Sequence, residues 1–157
     1  MEKKEIVLAC DHAGLEMKQA IREMLEGEGY TVTDVGTYTA DSMDYPDLAK
    51  PLAEQVLSRS IPGIIICGTG IGVSIAANKM HGIRAALCHD EFTAQMCREH
   101  NNANVLAMGA RVLSIDTAKK LTNIFLKTEF AGDRHARRVE KLMALETNQP
   151  ASKGAQV

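Results

Sequence analysis

Residues Gly63–Gly72 read GIIICGTGIG, and the reading of this stretch decides the fold. Three β-branched apolar residues, Ile64–Ile66, follow one another with no polar alternation. That is the mark of a strand covered on both faces, as in a parallel sheet flanked by helices. The run ends at Cys67 and gives way to glycines at 68, 70 and 72. A helix is expected to begin inside this turn and to continue to about Met80. A buried strand, a tight turn and a helix make one βα unit, whose repetition builds a parallel sheet with right-handed crossovers.

The same unit recurs on both sides. Glu5–Cys10 (EIVLAC) reads as a strand, and Leu15–Glu28 as a helix with Met17, Ile21, Met24 and Leu25 on one face. Thr31–Val35 is a second strand. Pro46 suits a helix start and Asp47–Ser58 continues it, although Pro51 implies a later start or a distorted first turn. Ile83–Leu87 and Val105–Met108 complete five strands. Asp90–Glu99 and Ser114–Lys127 are helices, the latter with Ser114 or Asp116 as cap. A further helix is expected over Asp133–Glu146, after the break at Gly132. Residues 1–146 are thus expected to form one α/β domain, with 147–157 (TNQPASKGAQV) a disordered tail.

The bulk composition excludes several classes of function. The chain has 157 residues, 45% hydrophobic and 24% charged, the balance of an ordinary globular protein. A net charge of −2 gives no basic field for nucleic acid or membrane, and 4% aromatics without Trp leave no stacking platform. Apolar runs are too short to span a bilayer, and the N-terminus lacks a signal-peptide core. The expected location is the cytoplasm. Cys10, Cys67, Cys88 and Cys97 show no CxxC spacing and are expected to be free thiols; no Cys/His spacing suits zinc, so no metal is expected.

In an open parallel sheet, ligands bind beyond the carboxyl ends of the strands. Collected there are Asp11 and His12, then Tyr45, then the Gly-rich loop, then His89 and Arg111. The loop is not a phosphate-binding P-loop, since no Gly-Lys-Ser/Thr follows, and its G-x-G-x-G spacing is not a dinucleotide fingerprint. Cys67 stands at a helix mouth, a place that stabilises a thiolate, so it can serve as base or nucleophile. It can equally be a small hydrophobe at a strand end. His12 and His100 divide evenly between site and surface. Arg134 and Arg138 are four apart on one helical face and, with Arg111, could hold a phosphate; a solvated charge face is the alternative.

With these residues in view, the chain resembles the type B ribose-5-phosphate isomerases, a family that includes the galactose-6-phosphate isomerase subunits. The resemblance rests on CDHAG (10–14), DYPD (44–47), ICGTGIGVSIAANK (66–79), GIRAALC (82–88), HNNANVLAMGAR (100–111) and GDRHARRVE (132–140). It implies a Rossmann-like, doubly wound five-stranded parallel sheet in three α/β/α layers, with the last helix appended. It implies interconversion of D-ribose 5-phosphate and D-ribulose 5-phosphate through a cis-enediolate, without cofactor or metal. Cys67 matches the catalytic base, and Thr69 and His100 the pair that opens the sugar ring. Asp11 and Asn101 match contacts to sugar hydroxyls. Gly68, Gly70, Ile71, Gly72, Val73 and Ser74 match the cradle for the enediolate oxygen. His12, Arg111, Arg134 and Arg138 match the phosphate clamp, and Tyr45 falls in the loop that would set substrate length. The family's sites are shared between subunits of a homodimer or a dimer of dimers. Related substrates, namely allose or galactose 6-phosphate or a tetrose phosphate, are the alternative, and a phospho-ligand binding module is a more distant one.

Overall fold

The computed structural model describes residues 4–147, so the expected tail lies, apart from Thr147, outside the described residues. Five strands form one parallel sheet: β1 (Glu5–Cys10), β2 (Thr31–Asp34), β3 (Gly63–Cys67), β4 (Ala85–Leu87) and β5 (Val105–Gly109). Their spatial order is β2-β1-β3-β5-β4. The helices are α1 (Leu15–Gly27), α2 (Ala49–Arg59), α3 (Ile71–Asn78), α4 (Glu91–Glu99), α5 (Ile115–Lys127) and α6 (Arg134–Ala144).

The two faces of the sheet make separate cores. Ile6, Leu8, Ile64, Ile66, Leu106 and Met108 pack on α1, α4 and α5. Their neighbours Val7, Ala9, Ile65, Val105 and Ala107 face α2 and α3. Side chains alternate between the faces of a strand, so a strand buried on both sides must be apolar at every position. That explains why β3 and β5 are buried at every residue. Burial of each large aliphatic contributes about 1.5–3 kcal/mol.

Differences from expectation lie at element ends. The second helix begins at Ala49, after a 3₁₀ turn over Tyr45–Leu48. Pro51 then falls in the first helical turn, where its missing N–H has no intrahelical acceptor to lose. Asp90 and Ser114 are N-caps whose side chains accept from the Thr93 and Thr117 N–H groups. β4 shrinks to Ala85–Leu87 because Arg84 N–H donates instead to the Asn104 side chain, at 2.7 Å.

Strand order fixes where a ligand can bind. From β1 the chain steps to one side, to β2, and then crosses to β3 on β1's other side. Such a reversal leaves a crevice at the carboxyl ends of β1 and β3. The loops after Cys10 and Cys67 line it.

Candidate active site

Cys67 ends β3 and is 5% exposed. Its sulfur accepts the Gly70 N–H at 3.2 Å. The loop that makes this contact turns back sharply, with Gly70 at φ +78°, a conformation L side chains rarely adopt. A side chain there would also strike the Met108 carbonyl carbon, 2.8 Å from an ideal Cβ. α3 starts one residue later. Its Ile71 N–H is taken by Thr69 Oγ1 at 3.2 Å, and its Ser74 N–H by the Gly70 carbonyl at 3.1 Å. Among the described residues the N–H groups of Gly72 and Val73 have no acceptor, and they follow closely on Gly70, whose N–H meets the Cys67 sulfur. Two free donors at a helix N-terminus form a ready seat for a developing oxyanion.

The neighbouring loops complete this half of the site. Asp11 is 7% exposed; its backbone N–H donates to Ile66 O at 2.9 Å, tying β1's loop to β3. Its carboxylate accepts the Ala13 N–H, which fixes the side chain. His12 Nδ1 accepts the Met43 N–H at 3.3 Å, joining that loop to the segment before Tyr45. The ring of Tyr45 lies over Gly72, its Cζ 2.6 Å from where a Cβ would stand. Arg111 arches over Gly68, with Nη1 3.0 Å from the corresponding point, while its backbone N–H donates to Gly68 O at 2.9 Å. Every predicted residue from Asp11 to Ser74, with Arg111, therefore gathers at the carboxyl edge.

The remaining predicted residues do not join them within the chain. A helix that follows a parallel strand runs back along the sheet, so α4 carries His100 and Asn101 about 14 Å away, to the amino edge. There His100 and Asn101 share a small surface cavity with Arg138, Val139 and Leu142 of α6, and Arg134 stands close by. No hydrogen bond, ion pair or ring contact among the described residues joins this cluster to the Cys67 loop. The resemblance pairs His100 with Thr69; within one chain the course of α4 separates them.

One residue of this second cluster was missed. His135 is 7% exposed and stacks on His100, with ring centroids 4.2 Å apart and planes 10° from parallel. The sequence held a signal for it: His135, Val139 and Leu142 follow the i, i+4, i+7 spacing of an inward helix face.

Burial pushes the Cys10 thiol up to about 11, against the opposing charge of Lys18. A hydrogen bond with Cys88 and then burial hold the Cys97 thiol in its protonated form, and the same bond lowers the Cys88 thiol. All four cysteines are free and buried. Among the described residues no helix is long and apolar enough to cross a membrane.

The family model described as Ribose/Galactose Isomerase matches residues 6–142. Ribose-5-phosphate isomerase B of Escherichia coli (strain K12) is 43% identical over 144 residues, covering 91% of this chain and 97% of the relative. The solved structure of Clostridium thermocellum ribose-5-phosphate isomerase B superposes with a TM-score of 0.90 at 48% identity, covering 92% of this chain and 98% of that one. The Mycoplasma genitalium ribose-5-phosphate isomerase B, solved with bound ribulose 5-phosphate, gives a TM-score of 0.89 at 42% identity, with 92% and 97% covered.

Proposed function

The chain belongs to the ribose/galactose isomerase family, and on that premise we propose an aldose–ketose isomerase that interconverts D-ribose 5-phosphate and D-ribulose 5-phosphate. The observation that carries the reading is the Cys67 sulfur, which accepts the Gly70 N–H at the mouth of α3, where the N–H groups of Gly72 and Val73 are free. Isomerisation removes a proton from C2, next to the aldehyde carbon, and returns it to C1. One base between the two carbons serves both transfers. Cys67 is that base. As the C2 proton leaves, charge builds on the carbonyl oxygen and the cis-enediolate forms. We assign that oxygen to the free N–H groups of Gly72 and Val73, and one such donor lowers the barrier by about 3–4 kcal/mol.

Asp11 accepts hydrogen bonds from sugar hydroxyls, and Tyr45, lying across Gly72, borders the substrate's path. His12, joined to Met43, and Arg111, arched over Gly68, are the groups assigned to the phosphate on this chain. Binding energy there orients the substrate without touching the chemistry.

The second cluster enters from another copy. His100, Asn101, Arg134 and Arg138 stand at the amino edge, and they meet a Cys67 loop only if a partner chain brings them. We assign ring opening to a partner's His100 acting with Thr69, contacts to sugar hydroxyls to Asn101, and completion of the phosphate clamp to Arg134 and Arg138. The exposed Ile71 and Ile75 on α3 are suited to being covered in such a homodimer. The working unit is residues 1–146 as one domain, acting in the cytoplasm, where its thiols stay reduced.

Purified chain is incubated with ribose 5-phosphate in deuterated water and followed by NMR. Turnover with solvent deuterium at the transferred position is expected, and Cys67→Ala lowers kcat by about 10²–10⁴ while leaving substrate bound. Near-full turnover by Cys67→Ala rejects the base assignment. The shared site is tested on ribose 5-phosphate by mixing two variants impaired in turnover, Cys67→Ala and His100→Ala: mixed dimers regain activity, and no recovery after subunit exchange rejects it.

A further inference from the structure

We propose that His135 is a positioning residue for opening the aldose ring, its imidazole stacked on His100 to fix the plane in which His100 exchanges protons with the sugar. This inference rests on the assignment of ring opening to His100.

The geometry that carries it is local. His100 is the C-cap of α4, past the last helical residue, where nothing in α4 itself holds its ring. Rotation about the bond to an imidazole is broad and soft, so such a ring samples many planes unless packed. His135 removes that freedom by lying parallel to it at 4.2 Å. His135 is itself fixed: it is buried in the first turn of α6, while Arg134, Arg137 and Arg138 around it are exposed. The two elements are also stitched by the Ala131 N–H donating to Glu99 O at 3.1 Å. A solvated basic helix has no need to bury one histidine against another.

The groups facing His135 are His100 from α4 and Arg134, Arg138 and Asp133 from its own helix. Burial first, then His100 and the two arginines, hold its imidazole below the ordinary histidine value, against Asp133. Near neutral pH it is an uncharged plate, so it adds no charge against a proton that His100 takes up.

Ring opening breaks the C1–O4 bond of the furanose. The electron pair goes to O4, which takes a proton, and the anomeric hydroxyl gives one up as C1 becomes an aldehyde. His100 and Thr69 carry these protons, so their orientation matters in this step. It does not matter to a substrate that is already open. Ribulose 5-phosphate is such a substrate: its O5 carries the phosphate, and no hydroxyl remains to close a five-membered ring on C2.

The test compares two rates in each variant. One is turnover of ribose 5-phosphate, which needs the ring opened. The other is exchange of the C1 hydrogen of ribulose 5-phosphate in deuterated water, read by proton NMR, which needs only Cys67 and the enediolate. His135→Ala is expected to lose about tenfold in kcat for ribose 5-phosphate, with exchange within about twofold of the unaltered protein. His135→Phe keeps a flat ring against His100 and restores turnover; His135→Asn, polar but without a ring, does not. His100→Ala, run in parallel, shows the same split more strongly. If His135→Ala equals the unaltered protein in both rates, or loses both equally, the inference is overturned. If His100→Ala shows no split, the ring-opening assignment falls and takes the inference with it. Should His135→Ala fail to fold, the Phe and Asn variants decide: equal rates for the two refute the stack's role.

Discussion

Gly109 closes β5 and pairs in register with Cys67. A Cβ built on it would stand 2.5 Å from the carbonyl carbon of Thr69 and 2.6 Å from its oxygen, whereas ordinary contact begins at 3.4 Å. The obstacle is backbone, so no side chain can swing aside. In Gly109→Ala the loop that bares the α3 N–H groups must retreat from β5 by about 0.9 Å. A displacement near 1 Å between a base and its oxyanion donors costs on the order of 100-fold in rate, or about 2.7 kcal/mol of barrier. The same crowding strains the fold by about 1–3 kcal/mol. The assay pairs kcat/KM for ribose 5-phosphate with a thermal melt, using Gly27→Ala as control. Gly27 lies in α1 with nothing within 4 Å of an added Cβ, so that variant is expected to keep full activity and stability. Gly109→Ala should melt lower and turn over about 100-fold more slowly. Turnover within about twofold of the unaltered protein, with the control also normal, would refute the claim that the loop's position sets the rate.

Lys18 is 2% exposed, with Nζ 2.7 Å from Asp34 and 2.6 Å from the Thr37 carbonyl. Lys18→Met strips Asp34 of its buried partner and should cost about 3 kcal/mol in urea unfolding, since Asp34 keeps the Gly36 N–H; a loss under about 1 kcal/mol contradicts this. Arg138→Ala should raise KM for ribose 5-phosphate by roughly 30-fold, about 2 kcal/mol, with less effect on kcat; an unchanged KM removes Arg138 from the phosphate clamp. For pH, His135 titrates below its unfolded value of 6.5, so the unfolded chain binds the extra proton first. Its contribution to stability is present above about 6.5 and is lost as pH falls toward the folded-state value. Melts between pH 7.5 and 5.5 should therefore fall more for the unaltered protein than for His135→Phe, and equal falls would contradict the shift.

The sequence was most informative where one physical demand acted alone. β3 was bounded correctly because burial on both faces leaves only apolar residues between Gly63 and Cys67. The second helix was uncertain because its Pro51 obeys positional rules that depend on where the first turn begins. The half-site around Cys67 was legible because strand ends in a parallel sheet share one edge. The other half was named through the family resemblance, because the spacing of its motifs carries no direction. Only tracing α4 backward along the sheet shows that His100 emerges at the far edge. His135 was hidden among arginines, and its apolar stripe became meaningful once α6 had a surface to lie on.

The separation of the two clusters along the sheet has a consequence for how activity depends on concentration. On the proposed sharing, a chain by itself folds around complete cores yet holds a base without an acid and an acid without a base. Activity would then be a property of association: dilution below the dissociation constant is expected to silence turnover while circular dichroism stays native. Turnover per chain would rise with enzyme concentration until dimers saturate. The measured rate would then report on the encounter between copies as much as on the chemistry at Cys67.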